Sequence, residues 1–559
     1  MRTSRSVVIG VDSSTQSTKA VAVDAETGEL LAVGRAPHTV TGTGGARESD
    51  PEEWWTALVT AVRAAVRDAG VPAGSVTGIA VAGQQHGLVA LGADGRPLRP
   101  ALLWNDTRSA PQAAALAAGL GGPKSWLERT GSVPVASMTA AKWQWLREHE
   151  PAHAAAATGV RLPHDYLTER LTGHAVTDPG DASGTCWYGT GGAGADTSVG
   201  TDETTGADAP KAAHDRTGTH DRTGTDTPTA TYDRTGTYDR TGTHVPTATY
   251  DPAGSYDPAG SYDPAILDVL GLDPALLPIV APTGATHVGT LTATAAEALG
   301  LPRTVVVAAG TGDNMAAAVG LGLGGAGLLD HPVVSLGTSG TAFAATRARP
   351  AHPGLAGFAA TDGTYLPLGC TLNCTLAVDR FAALLGLDRE DAAPGGDVVV
   401  LPYLDGERTP DLPHAAGLVT GIRHTTDPRA ILGAAYEGAA FTVLRALDEL
   451  LAACGLDLTD SAVRDRPLRL IGGGARGRVW TDTVRRLSGR PLVVPAAEEL
   501  VALGAAALAG GAVTGDDPVA LATAWGTGEG ALLPPLPRAT ETWDRIAGVL
   551  TAASPSLLR

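Results

Sequence analysis

The chain has 559 residues, 43% hydrophobic and 18% charged, which supplies sizeable cores and excludes a chain disordered throughout. Its 41 basic and 59 acidic residues leave a formal charge of −18, which excludes a general nucleic-acid binder and adsorption to an anionic membrane. A single nucleotide is not excluded, because it needs only a local nest of amides and a metal ion. Four cysteines, Cys186, Cys370, Cys374 and Cys454, are too few for a disulfide scaffold and read as reduced thiols of a cytoplasmic enzyme. No apolar run near the start has the length of a signal peptide, and no run of about 18 residues lacks a charge, so a soluble protein is expected.

In chain order, Val7–Val11 predicts a strand, Ser13 to Ser17 a polar turn, and Lys19–Val23 a second strand. A turn at Glu26–Glu29 leads to a third strand from Leu30. Residues 51–69 carry helical periodicity, with Ser49-Asp50 as cap, Pro51 at the start and a stripe of Trp54, Leu58, Val62 and Val66. Val76–Ala82 reads as a buried strand. From Gly189 to Ser261 the composition changes to Gly, Thr, Asp, Pro, Tyr and Ala, with DRTGT repeated four times and DPAGS twice. A six-residue period can mean a β-helix, but these repeats lack the aliphatic position that would stack inward. The segment therefore reads as a flexible, low-complexity insertion without chemistry. Strand and helix alternation returns after Pro302, which makes the chain a mixed α/β protein with two related lobes.

Five segments carry chemistry. Gly10 to Lys19 joins two strands by a hydroxyl-rich turn that can aim N–H groups and hydroxyls at a phosphate, with Asp12 placed to hold a metal directly or through water; a plain polar turn would look the same. Ser335 to Thr341 (SLGTSGT) repeats that design after the strand Val333-Val334. Two such hairpins suggest duplicated lobes facing a nucleotide, and the absence of GxxxxGK[ST] excludes a Walker A loop. Leu470 to Arg476 (LIGGGAR) runs from a strand through three glycines toward a helix at Val479–Leu487, so backbone can approach a flat or charged ligand. Ala309 to Met315 (AGTGDNM) sets Asp313 and Asn314 at the end of a β-branched run, where Asp313 is either a helix cap or a general base for a hydroxyl. Ala82 to Gly87 (AGQQHG) and Leu103 to Arg108 (LWNDTR) gather planar hydrogen-bonding groups beside a Trp, the lining expected of a polyol pocket.

Together these segments resemble the FGGY family of carbohydrate kinases, within the actin-like ATPase superfold. The resemblance also covers Ser137 to His149 with its Thr, Lys and Trp spacing, His164 to Leu167, Asp181 to Thr185, Leu401 to Pro410 (LPYLDGERTP) and Ala502 to Ala505. It implies an α/β fold of two actin-like, ribonuclease H-like lobes flanking a central cleft. The N-terminal, sugar-binding and catalytic lobe would span 1–324, with the 189–261 insertion, and the C-terminal, nucleotide-binding lobe 325–559. It implies ATP-dependent phosphorylation of D-xylulose, with ribulose, gluconate, a deoxy-sugar or glycerol as alternative substrates. ATP and Mg2+ would be required, and family members often form homodimers.

Residue by residue, the resemblance makes Asp313 the base that takes the proton from the terminal sugar hydroxyl and Asp12 the organiser of metal and phosphate. Thr15, Gly337 and Thr338 would hold phosphates, and Gly473, Gly474 and Ala475 would meet the nucleoside. Gln85, His86 and Asn314 would grip the sugar, with Trp104, Asn105 and Asp106 shaping its pocket. Four departures stand out. Gln85 replaces a Met found in some relatives, the catalytic turn reads GTGDN rather than GGGDN, His164 stands where Lys is common, and the repeat segment enters a connection that relatives keep short.

Overall fold

The computed structural model describes residues 5–189, 261–324, 328–347, 349–412 and 414–553. The repeat segment, apart from its end residues Gly189 and Ser261, lies outside the described residues.

The first sheet runs in the order Leu30–Pro37, Ser17–Asp24, Val7–Ser13, Val76–Gly83, Val306–Ala308, His287–Thr290, with the short strand Thr311–Gly312 also paired to Val76–Gly83. The first three strands are antiparallel neighbours, and Val76–Gly83 and Val306–Ala308 join in parallel. The second sheet, among residues 356 to 533, is completed by Val333–Leu336 and Gly340–Phe343. From Tyr365–Thr371 it passes to Gly340–Phe343, Val333–Leu336, Leu468–Ile471, Leu492–Pro495 and Gly530–Leu533, with Ala356–Ala359 outside Tyr365–Thr371. Again three antiparallel strands are followed by two parallel ones. This repeated order gives the duplicated lobes that the paired hairpin motifs suggest and the actin-like architecture that the family resemblance implies.

Val7–Ser13 is buried along its whole length, so both of its faces are covered. Val7, Ile9 and Val11 point into a core with Trp54, Leu58 and Val62 of the helix Pro51–Asp68. Val8, one residue out of phase, points into a second core with Ala502, Ala505 and Leu508 of the helix Leu500–Thr514. The two-residue strand period alone assigns these side chains to opposite layers. The first helix starts where its cap predicts, with Asp50 accepting from the Glu52 N–H and Pro51 in the first turn. The 26-residue helix Pro428–Ala453 is long and apolar enough to cross a membrane by composition. In this fold 83% of its most apolar stretch is buried, and it is the central helix of the second lobe's core.

The strand Tyr188–Gly189 pairs antiparallel with Ser261–Tyr262, with Gly189 opposite Ser261. The two ends of the repeat segment therefore stand side by side. Replacing residues 190–260 with an Asn-Gly turn is expected to preserve cooperative thermal unfolding. Shortening a loop recovers only about 0.6 kcal/mol of closure entropy per halving, so the unfolding temperature should rise slightly if at all. Calorimetry checks this, and a fall of many degrees would mean that the segment carries contacts the fold needs.

Candidate active site

Hydrogen-bond register brings the sequence motifs to one end of the first sheet. Asp12 lies opposite Lys19 on one side and Ala82 on the other, and Thr311-Gly312 pairs with Ala82-Gly83. The hydroxyl-rich turn after Asp12, the AGQQHG segment and the GTGDN turn therefore leave the sheet together. In the second lobe Ser335 lies opposite Ile471, so the SLGTSGT turn and the triple glycine also leave side by side.

Asp313 begins the helix Asp313–Gly320 and keeps a partly accessible edge although it sits deep in the protein. Its Oδ1 accepts from the Asn314 N–H at 2.8 Å and from Asn314 Nδ2 at 3.1 Å. Nδ2 also donates to Gln85 Oε1 at 2.8 Å. The acid and two of the expected sugar ligands are thus one hydrogen-bonded set. Burial, then the charges of Asp12 and Asp181, pushes the Asp313 carboxyl up to about 8. Such a carboxyl is poised to exchange a proton near neutrality.

His86 follows in the left-handed region, at φ 64°, an uncommon conformation for a residue with a side chain. Its ring lies 5.4 Å from that of Phe358. Burial first, then the positive charges of Lys142 and Arg408, holds its pKa down to about 3, so its ring is a neutral imidazole. Lys142, the lysine of the Thr-Lys-Trp spacing, is fully buried and donates from Nζ to the carbonyls of Ala136 and Ser137; burial lowers its pKa to about 7.

Trp104 Nε1 donates to Thr15 Oγ1 at 3.1 Å, which ties the LWNDTR segment to the hydroxyl-rich turn after Asp12. Asp106 turns elsewhere. Both of its oxygens are taken by Arg108, and the Arg47 N–H donates to one of them. Asn105 is half-buried, with its Oδ1 unpartnered among the described residues.

Asp12 is buried, accepts from Ser14 Oγ at 2.6 Å and lies 3.6 Å from Lys19 Nζ. Burial raises its pKa, and Lys19 opposes that shift. Lys19 also pairs with Glu499 at 3.0 Å, and Arg35 pairs with the other oxygen of Glu499. Lys19, Arg35, Gly472, Gly473, Ala475 and Arg476 line a cavity of about 410 Å³. Gly472 has φ 87°, and a methyl group there would lie 2.7 Å from the Leu336 carbonyl, so this tight passage beside the SLGTSGT strand requires glycine. Gly473, by contrast, has open space above it, and Gly474 and Ala475 are buried beneath. The carbonyls of Gly337 and Thr338 accept from Thr375 and Cys374, anchoring the SLGTSGT turn on the helix Thr375–Leu385. Glu407 of LPYLDGERTP braces the same helix start by accepting from the N–H groups of Leu372 and Asn373. A larger depression of about 640 Å³ near Asp94, Arg96 and Arg170 holds none of these groups, and its Arg170 is already paired with Glu52.

Among the described residues, no three His, Cys, Asp or Glu side chains are placed to hold a metal through protein ligands alone. Asp12 with neighbouring Asp313 instead suits a hard divalent cation that keeps its waters and takes other oxygens from phosphate, as magnesium does.

The N-terminal domain of the FGGY family of carbohydrate kinases matches residues 7–190 and 258–320, and the C-terminal domain of that family matches residues 333–513. The chain belongs to the FGGY family of carbohydrate kinases. Relatives similar over nearly the whole chain include the xylulose kinases of Streptomyces rubiginosus, 49% identical, and Streptomyces coelicolor, 50% identical. Each alignment covers 99% of this chain and 98% of the relative. The crystal structure of xylulose kinase from Bifidobacterium adolescentis superimposes with a TM-score of 0.69 at 28% identity, over 98% of this chain and 99% of that one. The protein is therefore a carbohydrate kinase, and ATP is its phosphoryl donor. The two domain matches leave out residues 191–257, the bulk of the repeat segment.

For this kinase, sequence reasoning assigned no role to Lys19, Arg35 or Glu499. Lys19 had a signal, since a tight hairpin from Asp12 must set it opposite that residue. Glu499 had none, because it approaches Lys19 only through the packing of Leu500–Thr514 on the first sheet.

Proposed function

We propose that this kinase transfers the γ-phosphoryl group of ATP to the terminal hydroxyl of D-xylulose, giving D-xylulose 5-phosphate and ADP in cytoplasmic xylose catabolism. The observation that carries this reading is the hydrogen-bonded set Gln85–Asn314–Asp313, at the sheet end from which the first phosphate turn also departs. Two relatives about half identical along the full chain, both xylulose kinases, support the choice of sugar.

In this reading the sugar binds the N-terminal lobe, residues 1–324, and the nucleotide the C-terminal lobe, residues 325–559. Gln85, neutral His86 and Asn314 read the hydroxyls, and the face of Trp104 covers the C–H side. In its ionised form, whose share grows as pH rises toward 8, Asp313 takes the proton of the terminal hydroxyl as the hydroxyl oxygen bonds to the γ-phosphorus. The bond from that phosphorus to the β–γ bridging oxygen breaks, ADP leaves, and Asp313 returns its proton to water. Lys19, the Thr15 turn and the Gly337–Thr338 turn neutralise and align the phosphates, while Gly473, with Ala475 lining the same cavity and Gly474 buried behind them, seats the nucleoside. Asp12 would hold magnesium, which when bound would supply charge neutralisation on the phosphate oxygens.

A coupled ADP-release assay tests the reading on D-xylulose, D-ribulose, L-ribulose, gluconate, glycerol and no sugar. Turnover is expected on D-xylulose well above the others. Preferential turnover of another sugar would overturn the substrate, and ADP release that ignores sugar altogether would overturn the transfer itself.

A further inference from the structure

Directly beneath the GTGDN turn lie four ionisable side chains with almost no solvent contact, His164, Asp165, Asp178 and Asp181. Buried ionisable groups are costly unless each has a use or a partner. Two of them have structural uses. Asp165 accepts from the Leu162 N–H at the start of the helix Pro163–Thr172. Asp178 caps Pro179–Ser183 and accepts from Thr311 Oγ1 at 2.8 Å. The remaining two cap nothing and face each other, with His164 Nδ1 at 2.7 Å from Asp181 Oδ2, while His164 Nε2 lies 3.3 Å from Asp165 Oδ1.

This pair sits between the two segments that carry the sugar pocket. A methyl group on Gly83 would lie 2.8 Å from the His164 backbone nitrogen, and one on Gly310 would lie 3.3 Å from the His164 ring. On its other side the Gln85 amide is a neighbour that favours the ionised form of the Asp181 carboxyl. No hydrogen bond joins the two side chains, and Gln85 Nε2 and Asp181 Oδ1 are both buried polar atoms without a partner among the described residues. A carboxamide has two unlike ends. Gln85 Oε1 is committed to Asn314 Nδ2, so its NH2 end must face the other way, where Asp181 Oδ1 is an acceptor without a partner.

We propose that His164 and Asp181 are positioning residues for the sugar pocket: His164 holds Asp181, Asp181 sets which way the Gln85 amide faces, and Gln85 holds Asn314 beside Asp313. The proposal rests on the reading of Gln85 as a sugar ligand. Asparagine at 181 could satisfy either end of the Gln85 amide, so the flip would lose its direction although the shape is kept.

The test is a steady-state comparison in the full-length protein of Asp181→Asn, Gln85→Ala and the double variant, with D-xylulose and MgATP varied separately. Asp181→Asn is expected to raise the ketose KM about tenfold, the worth of roughly one hydrogen bond, with the ATP KM unchanged. The double variant should be no worse than Gln85→Ala, because both changes break one chain of contacts. His164→Asn, whose amide nitrogen can take the place of Nδ1, should stay within about threefold of the parent, whereas His164→Leu should match Asp181→Asn. If Asp181→Asn does not fold, the two His164 variants decide. A wild-type ketose KM in Asp181→Asn, equal behaviour of the two His164 variants, or additive losses in the double variant would overturn the proposal while Gln85→Ala remains impaired. A Gln85→Ala variant with an unchanged ketose KM would instead remove the reading on which it rests.

Discussion

Asp313→Asn is expected to lower turnover on the ketose by about 10²- to 10⁴-fold, the usual contribution of a positioned general base, while both substrates still bind. The same substitution should stabilise the protein at alkaline pH. Burial raises the Asp313 pKa from 3.8 to about 8, so the folded chain keeps a proton there that the unfolded chain has released. In that window the unfolded state binds fewer protons, and stability falls as pH rises from about 4 through about 8. Asparagine has no such dependence. Asp313→Asn should therefore match the parent near pH 4 and exceed it at pH 8.5, by about 1–2 kcal/mol once its partial access to solvent is allowed for. Denaturant melts at the two pH values check this, with ADP release measured alongside. Unchanged turnover would remove Asp313 from the chemistry, and equal stability at both pH values would mean that its carboxyl is not held protonated.

Much of this site was legible because its parts are local. The hairpin from Val7 to Val23, the capped helix from Pro51 and the strand Val76–Gly83 each carry their own period and punctuation. The strand ends then place Asp12, Gln85 and Asp313 at one edge without further information. What the sequence hid is non-local. Asp106 looks like a pocket residue beside Trp104, but Arg108 two positions on captures it, a choice settled by the surroundings of both. His164 stands in a short polar stretch that could equally be exposed, and only the packing of Gly83 and Gly310 against it makes it a buried partner of Asp181. The triple glycine looked like a ligand loop throughout, yet Gly472 is required by the close Leu336 strand and only Gly473 opens to space.

The second large effect concerns a contact remote from both substrates. The helix that begins at Asp313 crosses the helix Leu500–Thr514 through two glycines. A methyl group on Gly504 would lie 1.8 Å from the Ala316 carbonyl oxygen, and one on Gly320 would lie 2.2 Å from the Leu500 carbonyl oxygen. These neighbours are backbone, so neither can rotate away, and the helices must separate. Gly504→Ala is expected to cost about 3 kcal/mol, at the upper end of overpacking. Because Asp313 is the first residue of the displaced helix, kcat should also fall, on the order of 100-fold if the base moves by about 1 Å. The control is Gly548→Ala in the helix Thr540–Ala552, where an added methyl meets nothing. There the helix propensity of alanine should make the change neutral or stabilising by up to about 1 kcal/mol, with kcat unchanged. Urea melts and ADP-release kinetics on both variants separate the cases. If Gly504→Ala loses stability but keeps its kcat, the strain is absorbed on the side of Leu500–Thr514. If it loses neither, the two helices are not held at this distance, and Asp313 is positioned from the Gln85 side alone.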